Sequence, residues 1–101
     1  MKYIFDSDKS GKLKRERGVS LEDIIEAIKN GRIVDIIPHP NKERYEDQHM
    51  LEVIIGDYIW RVPCKIETGS MVIKTAYPSR KATKKHKGSS YEKDKIYLSG
   101  R

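Results

Sequence analysis

The stretch YPSRKATKKHKG, residues 77–88, is the densest run of cations in the chain: five of its twelve residues are Lys or Arg, and one is His. Lys and Arg side chains bind phosphate oxygens and stabilise the extra negative charge that builds up on phosphorus during phosphoryl chemistry. A solvated basic tail has the same composition. The stretch therefore predicts either a phosphate-binding segment or an inert basic end, and the other residues have to distinguish these two interpretations.

Two further groups of cations could act on the same phosphate. Strand alternation puts Arg61 and Lys74 on the solvent-facing side of a predicted sheet, and Lys65 lies near a strand end. Lys14 and Arg17 are three residues apart on a predicted basic helix, so they share a face and could form a second wall for a phosphate backbone. Solvated surface charge is the ordinary alternative for both groups.

RNA cleavage is a reaction that these residue types could support without a metal or a protein nucleophile, since the 2′-OH of the RNA attacks the adjacent phosphate. The protein then has to accept a proton, stabilise charge on phosphorus and protonate the leaving oxygen. The sequence contains no Ser/His/Asp motif, no Gly-rich phosphate loop and no HExxH motif. The candidate proton-transfer groups are a desolvated Lys, Glu52, Tyr58, Glu67 and His86.

Composition limits the other classes of protein. The 101 residues suit one domain, and the single Cys64 excludes an intrachain disulfide and a CxxC metal site. The three His residues show no zinc-ligand spacing, so we expect neither a metal nor a cofactor. No apolar run approaches the roughly 20 residues of a membrane span, and the first residues lack the apolar region of a signal peptide. We therefore expect a cytoplasmic protein that does not bind a membrane.

The net charge of +6 is concentrated at one end of the chain. Residues 1–78 hold thirteen Lys/Arg and thirteen Asp/Glu, whereas residues 79–101 hold eight Lys/Arg and two Asp/Glu. A neutral body with a basic end favours a polyanionic partner or an acidic protein partner.

Two helices are predicted near the N-terminus. The first covers about residues 9–17, with Ser7 or Asp8 as its cap and Gly18 as its end. The second begins after Ser20, which forms a variant capping box with Asp23, and ends at the Asn-Gly pair of residues 30 and 31. Its apolar residues recur at i, i+3, i+4 and i+7, which predicts one buried stripe: Leu21, Ile24, Ile25 and Ile28.

Strands occupy most of the remaining sequence up to residue 77. The segment KYIFD predicts a short first strand, RIVDIIPHP a second, and residues 50–55, 58–66 and 71–77 three more joined by hairpin turns. Pro63 predicts a bulge or an edge position within its strand. The order predicts an α+β fold in which two N-terminal helices pack on one face of a mostly antiparallel sheet of 4–5 strands. The opposite face, with Arg61 and Lys74, would then be open.

Two segments resemble a known family. FDSDKSGKLKRERGVSLEDIIEAI is similar to the N-terminal signature of BrnT-type toxins of bacterial toxin–antitoxin systems, and IKTAYPSRKATKKHK is similar to the closing segment of that family. Arg80 and Lys81 match its Arg-Lys pair, and Gly18 matches the glycine of its turn, whereas Arg17 stands where the family usually has His. The resemblance covers most of residues 3–87.

The resemblance implies a RelE/ParE-like fold for a toxin domain over residues 1–87, followed by a C-terminal tail over residues 88–101. It implies a ribonuclease that inhibits translation. It also implies a cognate antitoxin protein that represses the shared operon, so that DNA is contacted indirectly through the antitoxin.

We therefore predict a metal-independent endoribonuclease toxin that binds RNA. The residues predicted to act in catalysis are Arg61, Lys74, Arg80 and Lys81, and those predicted to bind substrate are Lys14, Arg17, Lys65, Lys84 and Lys85. The alternative is a non-catalytic module of the same fold that binds nucleic acid or a partner protein, since RelE-like folds also include gyrase poisons.

Overall fold

The computed structural model describes residues 1–87, which form three helices and six strands. The helices are α1 (Ser7–Arg17), α2 (Leu21–Lys29) and α3 (Arg80–Lys87). The strands are β1 (Lys2–Ile4), β2 (Ile33–Pro38), β3 (Gln48–Ile55), β4 (Tyr58–Glu67), β5 (Ser70–Ile73) and β6 (Tyr77–Pro78). The predicted α+β class is confirmed. The predicted tail, residues 88–101, lies outside the described residues.

All six strands belong to one open, mostly antiparallel sheet. The sequence predicted four or five strands. The strand order is β1-β5-β4-β3-β2, β6 pairs with β4, and the β1–β5 pair is parallel. No helix within residues 1–87 has the length and apolar content needed to cross a membrane.

The strand predicted over residues 71–77 is divided into β5 and β6. β5 pairs with β4 from Cys64 to Glu67, and β6 pairs with Trp60 and Arg61. Between them the carbonyl of Pro63 accepts a hydrogen bond from the backbone N–H of Lys74, and proline has no N–H to return. The ladder is thus interrupted opposite the proline. The β3–β4 register runs through Pro63 unbroken, so the predicted bulge is absent on that side. On the other side the pairing stops between Arg61 and Cys64, so Pro63 has a local edge position, which was the predicted alternative.

The main core lies between α2 and one face of the sheet. The capping box of Ser20 and Asp23 starts α2 as predicted, and the whole predicted apolar stripe of that helix is buried. The stripe packs against sheet residues that include Leu51, Trp60 and Val62. Burial stabilises the fold by roughly 1.5–3 kcal/mol for each large aliphatic side chain, so α2 is fixed on the sheet.

α1 lies on the same side of the sheet as α2. Its N-cap is Asp6, whose carboxylate accepts from the N–H groups of Asp8 and Lys9, so the predicted caps at Ser7 or Asp8 are wrong by one or two residues. The predicted end at Gly18 is confirmed, with φ of 79°. Ser10 joins the two helices because its buried hydroxyl accepts from the N–H of Leu21.

α3 covers part of the sheet face that the sequence predicted to be open. Thr83 accepts a hydrogen bond from the backbone N–H of Ile59 in β4, and Ala82 has no exposed surface. The Ser79 hydroxyl accepts from the N–H of Ala82 in the first turn of this helix. The sheet is therefore covered on both faces, by α2 with α1 on one side and by α3 on the other.

Candidate functional site

A row of four side chains crosses the sheet beneath α3. Asp35 in β2 is in register with Glu52 in β3, Glu52 with Arg61 in β4, and Arg61 with Tyr77 in β6. Directly paired residues project from the same face of a sheet. This face is opposite to α2, because the neighbouring Leu51 lies in the core beneath that helix. We call these four residues the cross-strand row.

Glu52 is the centre of the cross-strand row. It is 0% exposed, yet it carries a carboxylate, which is costly to bury without partners. Nε of Arg61 lies 3.0 Å from its Oε2, while Nζ of Lys85 at 3.0 Å and Nε2 of His86 at 2.6 Å share its Oε1. Three donors from β4 and α3 thus converge on one carboxylate.

The environment of Glu52 keeps this carboxylate ionised. Burial by itself would raise its pKa, but the hydrogen bonds from His86 and Lys85, the positive charge of Lys85 and the hydrogen bond from Arg61 outweigh burial. The pKa of Glu52 is therefore lower than its usual value. A buried, charged Glu52 can fix the orientation of the imidazole and the guanidinium that it contacts.

The side of α3 that faces away from the sheet is basic. Ala82, Thr83 and His86 turn towards the sheet, at spacings of three and four residues that make one helical face. The side chains of Arg80, Lys81 and Lys84 are exposed. We call these three exposed cations the basic strip. The strip adjoins Lys85, which contacts the buried Glu52.

Asp35, Glu52 and His86 form a group that could hold a metal ion, since their ligand atoms lie within 4.8 Å of one another. The ammonium of Lys85 already lies between the two carboxylates, 3.0 Å from Glu52 and 3.7 Å from Asp35. Arg61 adds a second positive charge to Glu52. A divalent cation would meet repulsion from both side chains, so the donor set is occupied by the protein's own cations.

Lys65 and Lys74 lie near a different cluster, at the end of β4. Nζ of Lys65 is 3.2 Å from Asp47 and 3.4 Å from Glu67, and the hydrogen bond to Asp47 raises the pKa of Lys65. The pKa of Asp47 is lowered chiefly by the hydrogen bond from Lys65, with a smaller effect from the charge of Lys74. Lys65 lies four residues beyond Arg61 in β4, about 13 Å along the strand.

Lys14 and Arg17 belong to α1, on the far side of the sheet from α3. Nζ of Lys14 forms an exposed ion pair with Asp23 of α2 at 3.1 Å, and Arg17 is exposed. The sheet separates both from the cross-strand row and the basic strip. A phosphate held by α3 is therefore out of reach of this pair, and their assignment to substrate binding stays a prediction.

The structure thus brings together some of the predicted cations and separates others. Arg61 and Lys85 meet at Glu52, and Arg80, Lys81 and Lys84 are exposed on the same helix as Lys85. The sequence indicated Glu52 and His86 only as possible proton-transfer groups, and it gave no indication of a role for Asp35. The sequence does contain one indication that Glu52 is a buried, paired carboxylate. Glu52 is the only charged residue in the apolar stretch MLEVII, and a charge within a buried strand requires a partner.

Comparisons with known proteins return no relationship. No protein-family model, no curated protein and no solved structure matches this chain.

Proposed function

We propose that the chain is a metal-independent endoribonuclease, in which the 2′-OH of the RNA attacks the adjacent phosphate. Cleavage of RNA would thereby inhibit translation in the cytoplasm. The observation that supports the proposal most directly is the cluster of Arg61, Lys85 and His86 around the buried Glu52, next to the basic strip on α3. Such a cluster combines cationic groups with a group that can transfer protons, as metal-independent cleavage requires.

Each part of the cluster has a role in this proposal. Arg80, Lys81 and Lys84 bind phosphates of the RNA, and their exposure makes them accessible to a polyanion. Arg61 and Lys85 stabilise charge on the phosphorus. His86, oriented by Glu52, accepts the proton of the attacking 2′-OH, and the leaving 5′-oxygen takes a proton from water. A carboxylate that holds an imidazole in a fixed orientation is a recurrent device in acid–base catalysis.

The toxin–antitoxin role and the RelE-like arrangement are part of the same proposal. They are supported by the resemblance of the opening and closing segments to BrnT-type toxins, and by the α+β architecture with two helices before the main strands. A cognate antitoxin is the expected protein partner, with DNA bound through it. An acidic segment of the antitoxin would complement the basic strip.

A non-catalytic module that binds nucleic acid or a partner protein is the second candidate. It is favoured by one specific observation: Glu52 already pairs with Arg61 and Lys85, so their charge is largely neutralised within the fold. The basic strip alone could bind a polyanion without any reaction.

Cleavage assays on the full chain separate the two candidates. RNA incubated with the protein and EDTA should yield 2′,3′-cyclic phosphate ends, and a substrate with 2′-deoxy nucleotides should remain intact. Arg80→Ala and His86→Gln should each lower the rate about 100-fold. Lys42→Ala, in the exposed loop between β2 and β3, is the matched control and should leave the rate unchanged.

Binding and growth measurements complete this test. RNA binding without cleavage products would favour the non-catalytic module, and cleavage that survives Arg80→Ala would contradict the proposed site. Expression of the chain without a partner should arrest growth, whereas harmless expression would contradict the toxin role.

A further inference from the structure

The outer edge of β1 is open among the described residues. β1 is the terminal strand in the sheet order and pairs with β5 alone. The N–H of Lys2 donates to the carbonyl of Gly69, so Lys2 and Ile4 direct their backbone groups towards β5. The N–H and C=O of Tyr3 therefore point away from the sheet, where an added strand could pair with them.

A groove of about 370 Å³ lies beside this edge, between β1 and α2. Tyr3, Phe5 and Ile25 supply apolar surface to the groove. Tyr3 thus offers its backbone to the open edge and its side chain to the groove. A strand added here would pair with Tyr3 and direct alternate side chains into the groove, which is the geometry of peptide recognition by strand addition.

The rim of the groove is acidic although the whole chain is basic. Glu22 and Glu26, one turn apart on α2, both line it and both are exposed. The groove also contains Met1, which carries the N-terminal amine, and Lys29, whose ammonium lies 5.7 Å from the centre of the Tyr3 ring. Neither Glu22 nor Glu26 forms an ion pair within residues 1–87, and two exposed, unpaired carboxylates favour a basic ligand, in contrast to the acidic ligand suited to α3.

We propose that the β1–α2 groove binds an extended, basic segment of a partner protein, which pairs with Tyr3 along the open edge of β1 and buries an apolar side chain beside Ile25. A Lys or Arg of that segment lies next to Glu22 and Glu26. The groove lies across the sheet from α3, so the proposal does not depend on RNA cleavage.

A synthetic peptide tests this proposal on the full chain. The probe is a capped hexapeptide that alternates lysine and isoleucine, and its control carries glutamate in place of lysine. Backbone amide NMR should show saturable shifts at Tyr3 and Glu26 with the lysine peptide only. Glu26→Lys should weaken binding about fivefold or more, the factor for one lost surface charge contact and one added repulsion.

Glu43→Lys, in the loop between β2 and β3, is the matched control because Glu43 is also exposed and lies outside the groove. It should leave the affinity unchanged. The proposal is overturned if the lysine peptide gives no shift at Tyr3 at millimolar concentration, if both peptides bind equally, or if the shifts map to α3.

Two other results, each of which assigns the groove to a different occupant, would also overturn the proposal. Concentration-dependent dimerisation in sedimentation that disappears in Glu26→Lys would assign the groove to a second copy of the chain. Shifts at Tyr3 caused by Tyr97→Asp would assign it to the chain's own C-terminal residues.

Discussion

Nε2 of His86 lies 2.6 Å from Oε1 of Glu52, although 34 residues separate them in the chain. This contact joins the last turn of α3 to the middle of β3, beneath a helix that has few apolar residues of its own. α3 therefore depends on polar contacts to remain on the sheet, and these contacts are the same ones that assemble the proposed site. Glu52 therefore contributes both to the stability of the fold and to the proposed site.

Glu52→Gln should destabilise the fold by about 3 kcal/mol, because removing one member of a buried charge cluster leaves its partners poorly compensated. This loss lies at the lower end of the range for removing one partner of a buried ion pair, because the Lys85 side chain is 46% exposed and its ammonium can be rehydrated. Urea unfolding followed by circular dichroism measures the change. Glu46→Gln, in an exposed loop, is the control and should change stability by less than about 0.5 kcal/mol. Equal stability of both variants would contradict the importance of the cluster.

Acid should destabilise the protein through Glu52. The pKa of Glu52 is lower in the folded state than in the unfolded chain, where it is near 4.5. Its contribution to the free energy of unfolding is therefore fully present above the unfolded pKa and is lost as the pH falls through the lowered folded pKa. The urea midpoint measured from pH 6 down to about pH 3 should fall less steeply in Glu52→Gln than in the unaltered chain. Parallel pH profiles would show that other carboxylates dominate acid unfolding.

Thr83 should be sensitive to substitution because its side chain fixes α3 on β4. Its hydroxyl accepts from the N–H of Ile59 at 2.9 Å and donates to the carbonyl of Ser79 at 2.7 Å. Thr83→Val keeps the shape but leaves the buried Ile59 N–H without an acceptor, which should cost about 1–3 kcal/mol. Hydrogen exchange at Ile59 should accelerate accordingly. Thr83→Ser retains the hydroxyl, so exchange as fast as in Thr83→Val would contradict this account.

The elements that could be predicted from the sequence are those fixed by neighbours in the chain. α2 is specified within about ten residues by the Ser20–Asp23 capping box and by its apolar stripe. The hairpin between β3 and β4 follows from the Gly56-Asp57 pair in the same way. In each case the physical cause is local hydrogen bonding or periodic burial.

The covered sheet face could not be predicted, because its causes are distant in sequence. The residues of α3 are mostly basic, and its buried face consists of small or polar residues, of which Thr83 and His86 hydrogen-bond to β4 and β3. The division of the last long strand likewise follows from Pro63 in the neighbouring strand. For the same reason, the sequence indicated the cations of the proposed site, but it indicated Glu52 only as a possible proton-transfer group and not as the buried carboxylate that organises them.

Cys64 should react with thiol reagents only after the fold opens. The residue is 0% exposed on the α2 side of the sheet, and burial raises the pKa of its thiol to about 11. At pH 8 only about one thiol in a thousand would be ionised, and the thiolate is the reactive form. Labelling by a disulfide reagent should therefore be slow in buffer, fast in urea, and faster in Glu52→Gln than in the unaltered chain, because that variant opens more often. Rapid, complete labelling in buffer with an unchanged circular dichroism spectrum would contradict the burial of Cys64 in the α2 core.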